Sequence, residues 1–96
     1  MPSYRVTLAV GALAPGVAPA SVLPGAADAA REVAVVEASD VQVVSGQARI
    51  VVRFTADDGE IAAQVARHVA SRTDALAHVT TWRLTERVGV RWETVV

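Results

Sequence analysis

Apolar residues recur at every second position near the start of the chain, where Tyr4, Val6, Leu8 and Val10 alternate with Arg5, Thr7 and Ala9. A period of two sends successive side chains to opposite faces, so this stretch predicts a strand with one buried face. Strand-like patterning returns from Val33 to Val44, with a bulge or break expected near Ser39 and Asp40. It returns again over Ala48 to Thr55, Val79 to Glu86 and Val90 to Val95. In the third of these strands Ala48, Ile50, Val52 and Phe54 share one face, and Arg49, Val51, Arg53 and Thr55 the other.

Two stretches follow the helical period instead. The first is alanine-rich, begins at Pro19 or Ser21, and is regular from Ala26 to Glu32, with Pro24 and Gly25 kinking or delaying its start. The second runs from Asp57 to Arg72 and buries Ile61, Ala62, Val65, Ala66 and Val69 along one stripe. Asp57 with Glu60 three residues on is a capping-box pair that explains this acidic cluster as a helix start and not as a metal site. Gly11 to Pro19 reads as a loop, Ser45-Gly46-Gln47 as a hairpin turn, and Gly89 as the turn into the last strand. Gly11-x4-Gly16 lacks the Lys and Ser/Thr of a phosphate-binding loop, which leaves it a connector.

The resulting order, β-α-β twice over, resembles the ferredoxin-like fold. The expectation is α+β: a βαββαβ two-layer sandwich with an antiparallel sheet and a short C-terminal fifth strand, one domain over residues 1–96. The resemblance is one of architecture, carried by nearly the whole chain and by no family motif. It implies a sheet that pairs with another copy, and in some proteins of this shape a cavity between sheet and helices. Small monooxygenases, isomerases, polyketide cyclases and regulatory ligand-binding modules share that shape, so fold alone does not select a function.

Composition narrows the field. Apolar residues make up 52% of the chain but only Tyr4, Phe54, Trp82 and Trp92 are aromatic, so the core is built from alanine and valine and is thin. A thin core favours added burial through oligomerisation. All nine basic residues are arginine, with no lysine and no asparagine, which points to a GC-rich bacterial genome. Absence of cysteine excludes disulfides, thiolate nucleophiles and Cys-ligated metal. A net charge of −1 gives no global attraction to nucleic acid or to an anionic membrane, and no apolar run is long enough to span one. Arg5, the run to Ala14 and Ala18-Pro19-Ala20 imitate a secretory leader, but strict alternation speaks for a strand and hence for a cytoplasmic protein.

Four groups of residues are candidates for function. Arg5, Arg49, Arg53 and Arg83 fall in phase on the sheet face away from the helices, where guanidinium forks suit a phosphate, a carboxylate or an RNA backbone. The commoner fate of such a face is solvation or dimer formation, and the absence of an aromatic on its third strand argues against RNA. His68 and His78 are the only histidines, and either can serve as an acid or base, though boundary histidines without function are more frequent. They lack a third ligand at metal-binding spacing. Tyr4 faces inward and would carry its hydroxyl to the rim of any cleft. Trp92, with Val51, is the candidate interface, since tryptophan concentrates at interaction cores; Trp82 shares its face with Leu84 and is expected to pack.

The favoured expectation is a small non-catalytic binding or assembly module that forms a homodimer through its sheet. The alternative is a dimeric α/β-barrel enzyme for a small molecule, of the isomerase, cyclase or monooxygenase class, with a histidine as acid or base. Neither requires a cofactor.

Overall fold

The computed structural model describes residues 1–96. It is α+β: five antiparallel strands form one sheet, and two helices cover one of its faces. In chain order the elements are β1 (Ser3–Leu13), α1 (Val22–Arg31), β2 (Val35–Val44), β3 (Gln47–Thr55), α2 (Gly59–Asp74), β4 (Ala77–Val88) and β5 (Arg91–Thr94). Across the sheet the order is β2-β3-β1-β4-β5, which places β1 at the centre.

The alternation in β1 is what orients the sheet. Tyr4, Val6, Leu8 and Val10 lie in the core with Ile50, Val52 and Phe54 of β3, Leu84 of β4, and the helix stripes. Ala26 and Ala30 of α1 and Ala62 and Ala66 of α2 are wholly buried, because a methyl side chain lets each helix lie close on the valine surface below. Tyr4 and Phe54 supply the bulk, their rings stacked with centroids 6.1 Å apart. At Gly25 the approach is closest: a Cβ there would run into Leu76 Cδ1.

Several elements end elsewhere than the pattern predicts. β1 continues beyond Val10 to Leu13, because bulges against β4 absorb the irregular stretch around Gly11. α1 starts at Val22, just after a short 3-10 turn over Pro19–Ser21, so Pro24 sits in its first turn and does not kink it. The bulge or break expected near Ser39 and Asp40 is a bulge that falls earlier, between Val36 and Ala38. The cap of α2 is Asp58 and not Asp57: Asp58 Oδ1 accepts the Ile61 N–H at 2.9 Å. Ile61, expected in the buried stripe, lies in the first turn and is 39% exposed.

Both tight turns follow their glycines. Val44 pairs with Gln47 across Ser45 (φ 52°) and Gly46 (φ 79°), two successive positive φ angles as a type I′ hairpin requires. Val88 pairs with Arg91 across Gly89 (φ 62°) and Val90, which returns the chain as β5 on the outer edge of β4. This second turn decides the site, because it sets which face receives Trp92. No helix is long and apolar enough to cross a membrane.

Candidate functional site: an arginine-lined groove on the open sheet face

The register fixes what the uncovered face carries. Arg5 pairs with Arg53 of β3 and Thr85 of β4, Thr7 with Val51 and Arg83, and Ala9 with Arg49 and Thr81. Successive residues of β1 alternate faces, so these three rows all point away from the helices. On β5, Trp92 pairs with Arg87, which follows Arg83 and Thr85 in the same phase, so the indole also belongs to this face.

Together these side chains enclose a depression of about 560 Å³. Its floor is short, formed by Thr7 and Ala9, and Arg5, Arg49 and Arg83 reach into it. Gln42 and Gln47 bound it on the β2–β3 side, and Trp92 and Thr94 on the β5 side. Thr81 and Thr85 add hydroxyls from β4. Val51, although on the uncovered face, is only 9% exposed, and Ala9 only 8%, because the longer side chains around them close over.

The arginines differ in their partners. Arg53 donates from Nε to Glu37 Oε1 at 3.2 Å, and Ser3 donates to the same oxygen at 2.7 Å. The Ser3 hydroxyl, and after it Arg53, holds the Glu37 carboxyl below its ordinary pKa against the opposing effect of burial. Arg5 instead sits over the Trp92 ring, its guanidinium carbon 4.0 Å from the ring centroid, with that of Arg53 at 5.3 Å. Arg5, Arg49 and Arg83 form no ion pair, whereas Arg31, Arg53, Arg72 and Arg91 each have a carboxylate. The Nε atoms of Arg5 and Arg49 are moreover buried and have no hydrogen-bond partner in the protein.

The two histidines stand elsewhere and apart. His68, on α2, meets Glu32 at 2.8 Å beside Arg72, in a surface cluster that ties α2 to the end of α1. His78, at the start of β4, lies 3.4 Å from Asp74 and borders a shallow depression of about 390 Å³ with Arg67 and Trp82. His68 does not reach that depression. Tyr4 is 1% exposed, and burial, with Glu86 and Asp58 nearby, pushes its phenol up in pKa. Trp82 packs half-buried against the core. No group of three or more His, Cys, Asp or Glu side chains is placed to hold a metal ion.

Period-two alternation alone puts Arg5, Arg49, Arg53 and Arg83 on one face. The same phase within the predicted fourth strand also reaches Thr85, and one residue past Glu86 it reaches Arg87. Gln42 and Gln47 escape notice because amides carry no motif, and Trp92, a candidate interface residue by its type, could not be assigned a face because that depends on the turn at Gly89. No protein-family model, curated protein or solved structure matches the chain.

Proposed function

We propose that this chain is a small ferredoxin-like module that binds an anionic small molecule on the open face of its sheet and does not transform it. The support for the fold reading is the antiparallel order β2-β3-β1-β4, with α1 following β1 and α2 following β3, to which β5 adds an edge. The observation that carries the ligand reading is that Arg5, Arg49 and Arg83, none of them paired with a carboxylate, line one groove. An anion received between these guanidinium forks would gain charge-assisted hydrogen bonds and offset the repulsion among three like charges. A non-catalytic role follows from the lining: it holds Arg, Thr, Gln, Ala and Trp, with no Asp, Glu, His or Cys to move a proton near neutrality or to attack.

Titration calorimetry with inorganic phosphate and with succinate tests this. Binding that weakens steeply with salt and disappears in Arg49→Gln/Arg83→Gln, with thermal unfolding unchanged, is the expected result. Equal binding by the double variant overturns the assignment of the groove.

A second reading concerns assembly, and β2 favours it. This edge strand has one neighbour, lacks lysine and proline, and exposes Val35, Val41, Val43 and Val44. Two copies paired antiparallel about Gln42 would set Val41 against Val43 of the second copy, and the reverse, while keeping each Asp40 opposite a valine. Such a homodimer continues the sheet and leaves both arginine faces free. Face-to-face stacking would instead bury like charges. Light scattering on the wild type and on Val43→Lys checks this, since a charge on the edge should leave only monomer; a monomeric wild type dismisses the reading.

A further inference from the structure

We infer that the ligand of this groove is a phosphate monoester, held as its dianion above Thr7 and Ala9. The inference rests on the anion-binding reading above and makes its chemistry specific.

Charge is the first argument. Glu37 already neutralises Arg53, so the uncompensated cations of the groove are Arg5, Arg49 and Arg83. Carboxylates on this face do not answer them: Glu37 is engaged by Arg53, and Asp40 forms no ion pair, its Oδ1 accepting from the N–H of its neighbour Val41 at 2.8 Å. One carboxylate would leave two of three positive charges unmatched, whereas a phosphate monoester carries close to two negative charges at neutral pH.

Geometry is the second. Arg49 is in register with Ala9 from the β3 side, and Arg83 with Thr7 from the β4 side, so the two flank the floor from opposite strands. Arg5 closes the same floor along β1, one row before Thr7. Three forks from three directions match a tetrahedral group that offers three terminal oxygens. A planar carboxylate is satisfied by a single bidentate fork. The hydroxyls of Thr7, Thr81 and Thr85 supply further neutral donors around the same centre.

The wall composition describes the rest of the ligand. Trp92 stands at one rim and Gln42 and Gln47 at the other, so the body of the ester leaves between an indole and two amides. These partners suit a hydroxylated carbon skeleton better than an acyl chain, because the amides and Thr94 hydrogen-bond hydroxyls and no apolar trough extends from the floor.

The experiment is calorimetry on the full chain with ribose 5-phosphate, glycerol 3-phosphate, succinate and sulfate. The phosphate esters should bind about tenfold or more tightly than succinate. Their affinity should fall as pH drops through about 6, where the second phosphate proton returns, while that of sulfate, which does not titrate there, holds constant. Arg49→Gln should weaken ester binding about tenfold or more. Ala9→Val, which fills the floor, should do the same with every guanidinium retained. If succinate binds as tightly as the esters and Arg49→Gln weakens both, the groove remains an anion site and the phosphate assignment is overturned. If sulfate loses affinity over the same pH range, the protein titrates and the dianion argument is overturned. If no anion binds, both readings fall.

Discussion

The guanidinium carbon of Arg5, on the central strand, lies 4.0 Å from the centroid of the Trp92 ring, on the outermost strand beyond β4. The indole therefore leans inward over the sheet and lays its face on a cation that has no carboxylate. Since Arg53 also approaches the ring, at 5.3 Å, one aromatic side chain attracts two like charges that the register places opposite each other. Trp92 is thus a wall of the groove and a brace between the last strand and the first.

Removing that brace has a measurable cost. Cation–π contacts at partly exposed sites contribute about 0.5–1 kcal/mol each, and Trp92→Ala also releases the repulsion between Arg5 and Arg53. The variant should unfold about 1–2 kcal/mol more easily, a fall of several degrees in Tm for a domain of this size. Trp92→Phe should recover part of the loss, because a phenyl face attracts a guanidinium more weakly than indole. Thermal unfolding by circular dichroism checks both; an unchanged Tm in Trp92→Ala would mean that the stacking contributes nothing.

Stability should depend on Glu32 in a pH-specific way. Glu32 Oε1 accepts from His68 Nε2 and from Arg72 Nη1, each at 2.8 Å. The His68 hydrogen bond, then the charge of Arg72, holds the carboxyl below its ordinary pKa despite some desolvation. A group whose pKa is depressed on folding stabilises above its unfolded value, about 4.3, and loses that contribution as pH falls through the folded value. Glu32→Gln should therefore be less stable than wild type near neutrality, and the gap should close in acid. Urea unfolding at a series of pH values measures this. A gap that stays constant to low pH would sever the cluster from the stability of the α1–α2 contact.

A third expectation concerns Thr73, the one fully buried polar side chain, whose hydroxyl has no hydrogen-bond partner. Thr73→Val keeps the shape and removes the unsatisfied group, so stability should rise by about 1 kcal/mol. Thr73→Ser keeps the hydroxyl and leaves a cavity, so stability should fall. Chemical denaturation of the two variants decides; a destabilised Thr73→Val would show that the hydroxyl is in fact satisfied in solution.

Much of this was legible from spacing. β1 and β3 could be phased without coordinates because a period of two admits only two assignments, and the core side was evident from Tyr4, Leu8, Ile50 and Phe54. Placement of Arg5, Arg49, Arg53 and Arg83 on a common face follows from the same rule. Cap and bulge positions were less accessible: Asp57 and Asp58 are both good caps, and only the approach of the chain from β3 selects Asp58. Likewise the bulge at Val36–Ala38 is set by pairing with β3, a partner that local sequence does not specify.

Strand periodicity and helix amphipathicity are local properties of the chain, so the α+β class, the alternating faces and the arginine content of one of them were readable from spacing. Long-range contacts were needed for the rest: that those arginines meet around a floor of Thr7 and Ala9, that Glu37 claims Arg53 and leaves Arg5, Arg49 and Arg83 unpaired, and that Trp92 closes the rim. Each of these depends on cross-strand register and on one turn at Gly89, where a shift of a single residue would send the indole to the opposite face.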